Sequence, residues 1–196
     1  MYNKEFTFII NKAIFGRQNR KNSAIIVRKV AKLSTILYYL YAKGGFPMKT
    51  AIVYASVHHK NTEKLVKAIA EKHPEVELID ATKTILKDLA SYDLIGFASG
   101  IFYSKFHKAL LNFITDNLPA HKKTFVIYTC GSDHSAAYLK EIKDLIQSKD
   151  STLVATYSCL AYDTFGPFKL IGGLNKGHPN EDDIQKAIDF YEKICR

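Results

Sequence analysis

The chain has 196 residues, 47% of them hydrophobic and 24% charged, without a repeat or low-complexity tract, which allows one domain with a sizeable core and excludes disordered and fibrous classes. Three cysteines, Cys130, Cys159 and Cys195, with no CxxC spacing argue against a disulfide framework or a structural zinc site and suit a reducing cytoplasm. No apolar run approaches the roughly 20 residues of a spanning helix, so the net charge of +9 is the one unusual feature.

That charge sits at the start of the chain. Before Met48 there are nine basic residues and one acid, Glu5, whereas from Met48 onward nineteen basic and eighteen acidic side chains leave only +1. Ile25, Ile26, Val27, Val30, Leu33, Ile36, Leu37 and Leu40, interleaved with Arg28, Lys29 and Lys32, fit a basic amphipathic helix on an anionic membrane, and the charge alone fits a nucleic-acid arm. We favour a third reading, in which residues 1–47 form a basic extension outside the native domain. Lys43-Gly44-Gly45-Phe46-Pro47-Met48 can be encoded with GGAGG roughly seven nucleotides ahead of an ATG, a bacterial ribosome-binding arrangement that makes Met48 the expected start. On that reading neither nucleic acid nor membrane is an expected partner.

From Met48 strands and helices alternate. Thr50 to Ala55 reads as a strand buried on both faces. A helix follows with Leu65, Val66, Ile69 and Ala70 on one side, stopping before Pro74. Glu75 to Ile79 is a second strand and Asp93 to Ala98 a third, followed by a helix from about Phe106 to Leu118 with Leu110, Phe113 and Ile114 at helical spacing. Thr124 to Thr129 is a fourth strand, Ser135 to Ser148 a helix and Thr152 to Tyr157 a fifth strand. The last helix opens on Pro179-Asn180-Glu181-Asp182-Asp183, a cap with acids in its first turn, and carries Ile184, Ile188, Tyr191 and Ile194.

This alternation implies a parallel sheet covered on both faces, with ligands beyond the carboxyl ends of its strands. The polar loops Ser56–Thr62, Ser99–Lys105 and Thr129–His134 fall at those ends, and the irregular stretch from Cys159 to Pro179 is longer than an ordinary connection. The first loop runs from a strand directly into a helix. The unpartnered N–H groups and positive dipole end of that helix, with hydroxyls and amides just ahead of them, suit a phosphate.

The Ser-x-x-x-x-Asn-Thr loop from Ser56 to Thr62, the Ser99-Gly100-Ile101-Phe102-Tyr103 turn and the five-strand alternation resemble the flavodoxin family over nearly all of 48–196. The first loop is one residue longer than the commonest flavodoxin phosphate loop, and in that length it is similar to the menaquinone-dependent protoporphyrinogen oxidase branch. The run from Asp163 to Pro179 resembles a tail of bacterial flavodoxin-like proteins. The resemblance implies an α/β fold, a doubly wound five-stranded parallel sheet of order 2-1-3-4-5, and non-covalent FMN. Ser56, His58, Lys60, Asn61 and Thr62 would serve the phosphate; Asn61 and Thr62 also suit plain helix capping. Lys60 stands where related loops carry glycine, although a residue with a Cβ resists positive φ. Ser99, Gly100 and Ile101 would line the ring site, Phe102 and Tyr103 flank the isoalloxazine, and Thr129, Cys130, Gly131 and Ser132 line its pyrimidine edge. Cys130 reads more simply as a small buried residue than as a redox thiol.

Other chemistries fit poorly. His58-His59 has no further ligand at metal spacing, Asp133-His134-Ser135 lacks a nucleophile elbow, and no Gly-x-Gly-x-x-Gly follows the first strand. The expected function is electron transfer to a redox partner protein or reduction of a small acceptor such as a quinone, with no side chain acting as acid or base. A near-neutral domain favours the oxidoreductase over the pure shuttle, which the resemblance associates with an acidic surface. Two alternatives stand beside it: a flavin-free interaction or sensory module on the same fold, and a quinone reductase anchored to a membrane by residues 1–47.

Overall fold

The computed structural model describes residues 48–132 and 135–196; the expected basic extension (1–47) and Asp133-His134 lie outside the described residues. Residues 48–196 form one compact unit. Its elements are β1 (Thr50–Ala55), α1 (Asn61–Lys72), β2 (Val76–Asp80), β3 (Leu94–Phe102), β4 (Lys105–Phe106), α2 (Lys108–Asn117), β5 (Lys123–Cys130), α3 (Ser135–Gln147), β6 (Thr152–Leu160), a 3₁₀ helix (Gly166–Ile171) and α4 (Glu181–Ile194).

Five parallel strands lie in the order β2-β1-β3-β5-β6, which is the expected 2-1-3-4-5 arrangement. The sixth, β4, is a two-residue antiparallel addition to β3. Period-two alternation sends Ala51, Val53, Ile95, Phe97, Val126 and Tyr128 to one face, against Leu110, Phe113 and Ile114 of α2 and Leu139, Ile142 and Ile146 of α3. Ile52, Tyr54, Leu94, Phe125 and Ile127 face the other way, against Leu65, Val66 and Ile69 of α1 and Ala187, Ile188 and Tyr191 of α4. Each fully buried leucine or isoleucine contributes about 2 kcal/mol of burial free energy. Gly96, in the middle of β3, leaves room for the Phe125 ring: a Cβ there would lie 2.3 Å from Cζ of that ring.

Three boundaries differ from expectation by more than one residue, and the differences fall where the strands deliver the chain to one end of the sheet. The supposed loop from Ser99 to Lys105 is the end of β3 and a hairpin, with Ile101 opposite Phe106 and Phe102 opposite Lys105. Its two turn residues, Tyr103 and Ser104, have φ of 49° and 64°, the condition a type I′ turn imposes. The next helix therefore starts at Lys108, because Phe106 is in β4 and His107 caps it, Nδ1 accepting from the Ala109 N–H at 3.2 Å. β6 likewise continues to Leu160 before the chain turns irregular.

Candidate functional site

A cavity of about 270 Å³ opens beyond the carboxyl ends of β1, β3 and β5. Four segments wall it: Ser56 to Thr62, the hairpin residues Gly100 to Tyr103, Thr129 to Gly131, and Ala161 to Gly166.

The first wall is the turn from β1 into α1. His59 and Lys60 both occupy the left-handed region, with φ of 51° and 56°. A residue with a Cβ resists that region by about 1–2 kcal/mol, so this turn holds two strained residues in succession. α1 has no side-chain cap at Lys60. Instead Ser56 Oγ reaches across the loop and accepts from the Glu63 N–H at 3.2 Å. The hydrogen of the Ser56 hydroxyl remains available to donate toward the cavity, beside the first N–H groups of α1, which have no partner inside the helix.

Hydrogen bonds tie this wall to the others. Thr62 Oγ1 and Thr129 Oγ1 are 2.9 Å apart and buried. One hydroxyl donates to the other, leaving a single O–H to point elsewhere. Asn61 Nδ2 donates to the Tyr162 carbonyl at 2.9 Å, while its Oδ1 is buried without a hydrogen-bond partner. His59 Nε2 lies 2.9 Å from Thr164 Oγ1, and its ring lies 4.5 Å from that of Tyr162. His58 turns the other way, toward Phe102 at 5.5 Å. The two histidines thus face different walls, which removes the geometry a shared ion would need.

The fourth wall, Ala161 to Gly166, belongs to a flap that folds on itself through the Asp163–Leu174 bridge. Asn175 Nδ2 fastens it by donating to the Gly131 carbonyl at 2.8 Å. Asp163 Oδ1 accepts from the Phe165 N–H at 2.8 Å, and its Oδ2 lies only 2.4 Å from where a Cβ on residue 131 would sit. Glycine at 131 is what allows this carboxylate so close to β5. At the mouth the Phe165 ring meets that of Tyr103 edge-on at 4.7 Å. Both are exposed, Tyr103 by 80% and Phe165 by 53%.

Eleven of the fourteen expected residues therefore line one cavity: Ser56, His58, Asn61, Thr62, Gly100, Ile101, Phe102, Tyr103, Thr129, Cys130 and Gly131. Three do not. The Lys60 side chain is 59% exposed and its Nζ pairs with Glu63 Oε2 at 3.0 Å. The Glu63 carboxyl, held below its ordinary range chiefly by the hydrogen bond from Lys67 and further by Lys60, thus draws that lysine along the helix and away from the cavity. Ser99 is fully buried behind the hairpin, donating to the Gly100 carbonyl at 2.7 Å and accepting from the His107 N–H at 3.2 Å. Ser132 is exposed beyond the lining of the cavity.

Cys130 is buried in the third wall, its thiol 3.9 Å from the Cys159 carbonyl. The Cys159 thiol is pushed up to about 12, by burial first and by Asp183 second, so it stays protonated and unreactive near neutrality. His59, Ala161, Tyr162, Asp163, Thr164, Phe165 and Gly166 complete the lining beyond the expected set. The length of the Cys159–Pro179 connection and its start at the carboxyl end of a strand were the signals that pointed there.

A family profile described as the flavodoxin domain matches residues 51–169. An uncharacterized protein of Methanocaldococcus jannaschii is 41% identical over 150 residues, spanning 76% of this chain and 99% of its own length. Among solved structures, oxidised flavodoxin 2 from Bacillus cereus superposes with a TM-score of 0.51 at 22% identity, over 74% of this chain and 99% of that one. Two-electron reduced flavodoxin from Megasphaera elsdenii does so with a TM-score of 0.50 at 19% identity, over 71% and 97%. These two likenesses are likenesses of fold.

Proposed function

The chain belongs to the flavodoxin domain family, and from that premise we propose that it binds FMN non-covalently in the cavity between Ser56 and Gly166 and serves in electron transfer. The observation that carries this reading is that one cavity brings together two kinds of lining. A helix N-terminus, the Ser56 hydroxyl and the Thr62–Thr129 hydroxyl pair share it with the rings of Phe102, Tyr103 and Phe165. A phosphate suits the first set and a flat aromatic ring the second. The buried Asn61 Oδ1, an acceptor without a partner, adds a place for a hydroxyl of the chain between them.

FMN, when bound, supplies the one- or two-electron chemistry. This chain's residues bind and orient it. The α1 N-terminus and hydroxyls hold the phosphate, the Thr129–Gly131 segment offers backbone groups to the ring edge, and the aromatic rims exclude water from its faces. Asp163, a carboxylate on the wall, disfavours added negative charge nearby and so lowers the reduction potential of a ring beside it. The electrons pass to a protein partner or to a small acceptor such as a quinone. The domain's near-neutral charge favours an oxidoreductase over a shuttle with an acidic surface. A cytoplasmic setting is part of the same proposal; among the described residues no helix is long and apolar enough to cross a membrane.

The flavin-free module remains the second reading, supported by the Tyr103–Phe165 contact across the mouth. A visible absorbance spectrum of the purified chain before and after adding FMN, with any released cofactor identified by mass, separates the two. A bound yellow flavin is the expected result. A colourless protein whose melting temperature is indifferent to FMN overturns the redox reading and leaves the module.

A further inference from the structure

The two edges of the sheet are defended very differently. At one edge β2 has five residues and carries Glu77 and Asp80, paired with Lys87 and Lys83. Charged side chains and brevity are how natural sheets keep foreign strands from an open edge. At the other edge β6 runs for nine residues, Thr-Leu-Val-Ala-Thr-Tyr-Ser-Cys-Leu, with no charge and no proline. Its single irregularity is the register shift opposite Thr124 and Phe125, near its start.

The Ala161 N–H donates to the Cys130 carbonyl at 2.9 Å, which fixes the alternation of backbone groups along the end of this strand. The N–H and C=O groups of Thr156, Ser158 and Leu160 consequently point away from β5. Among the described residues no hydrogen bond reaches them. The side chains of these three residues are exposed as well. An open groove runs beside the first half of the strand, lined on its far side by Lys143, Ile146 and Gln147 of α3.

We propose that β6 pairs with β6 of a second copy of this chain, antiparallel about a two-fold axis at Ser158, joining the two five-stranded parallel sheets into one. A second copy is the occupant that this composition suits. Antiparallel self-pairing sets Ser158 opposite its own equivalent and Thr156 opposite Leu160, so no like charges meet, and the donors and acceptors that face outward on one strand meet their complements on the other. Such an isologous contact closes on itself and leaves no third edge exposed, because the charged β2 edges remain at the two ends. The paired residues stop at Leu160, one short of the cavity wall at Ala161, and none of the three lines the cavity.

Light scattering after size exclusion on the full chain, over a wide concentration range, tests this. The expected result is the mass of two chains at the upper concentrations. Ser158→Lys, which sets two ammonium groups opposite each other, and Thr156→Lys, which sets one against the partner copy's Leu160, each raise the dimer dissociation constant about tenfold or more without altering the circular dichroism spectrum. Amide hydrogen exchange on the unsubstituted chain supplies a readout that needs no variant: Thr156, Ser158 and Leu160 gain protection as concentration rises. A single-chain mass throughout overturns the proposal. So does a dimer that survives both lysines, or exchange at those amides that ignores concentration.

Discussion

The first and fourth walls of the cavity are built in opposite ways. Ser56 and Thr62 are buried, polar and bonded into regular structure, and Asn61 is buried at the start of α1, so their positions follow from β1, α1 and β5. Tyr162, Asp163, Thr164 and Phe165 lie on irregular chain, held by a few side-chain hydrogen bonds to the other walls. The first kind of wall suits affinity, because donors that are already aligned need no reorganisation to meet a phosphate. The second suits access and tuning, since a segment fastened at discrete points opens at less cost than a helix unfolds.

The largest effect is expected where the two kinds of wall touch. In Gly131→Ala the new Cβ falls 2.4 Å from Asp163 Oδ2, and that carboxylate cannot swing away alone, since its other oxygen holds the Phe165 N–H and its backbone pairs with Leu174. The flap must shift as a unit. Overpacking of this kind weakens FMN binding by about 2 kcal/mol, roughly 30-fold. Titration of flavin fluorescence reads it directly, and unchanged affinity would show that the flap takes no part in holding the cofactor.

Next comes the buried polar wall. Thr62→Ala removes one member of the Thr62–Thr129 hydroxyl pair, and affinity for FMN falls by about 1–2 kcal/mol. Because the hydroxyls act as a pair, Thr129→Ala lowers affinity comparably and the double variant loses little more than either single one. Additive losses in calorimetric titration would mean that the two threonines act separately. Smaller still is the affinity change at the mouth. Phe165→Ala reduces binding by less than about 1 kcal/mol, the scale of one aromatic contact, while the midpoint potential moves because water reaches the ring. Potentiometry that finds no shift would assign the tuning to Tyr103 or to the half-buried Phe102.

The contrast between the walls also explains what the sequence revealed. Regular elements announce themselves by periodicity, so β1, α1 and β5 were legible, and with them Ser56, Asn61, Thr62 and Thr129. The strand order came from resemblance, because no periodic pattern states which strands are neighbours. The hairpin escaped because Tyr103 and Ser104 are not the Asn-Gly pair that normally marks a type I′ turn. Asp163, Thr164 and Phe165 stood outside the expected site set because irregular chain carries no period; their stretch was legible as an overlong connection and by its resemblance to a tail of flavodoxin-like proteins. Ser99 read as a site residue because it opens the turn that carries the resemblance, yet it spends its hydroxyl on the backbone of the hairpin.

Lys60 tests how the first wall tolerates a residue with a Cβ in a left-handed turn. The backbone takes the left-handed turn at φ 56° despite the Cβ, which shows that the strand before it and the helix after it over-determine the loop. Lys60→Gly removes about 1 kcal/mol of backbone strain but increases the freedom of the unfolded chain and deletes an exposed ion pair with Glu63. The net expectation is a gain of about 0.5 kcal/mol in stability, read as a small rise in melting temperature, with FMN affinity unchanged because the ammonium group lies away from the cavity. A fall in affinity would show that Lys60 leaves Glu63 and turns inward when the phosphate arrives, and the strained turn would then serve to keep that lysine within reach of the site.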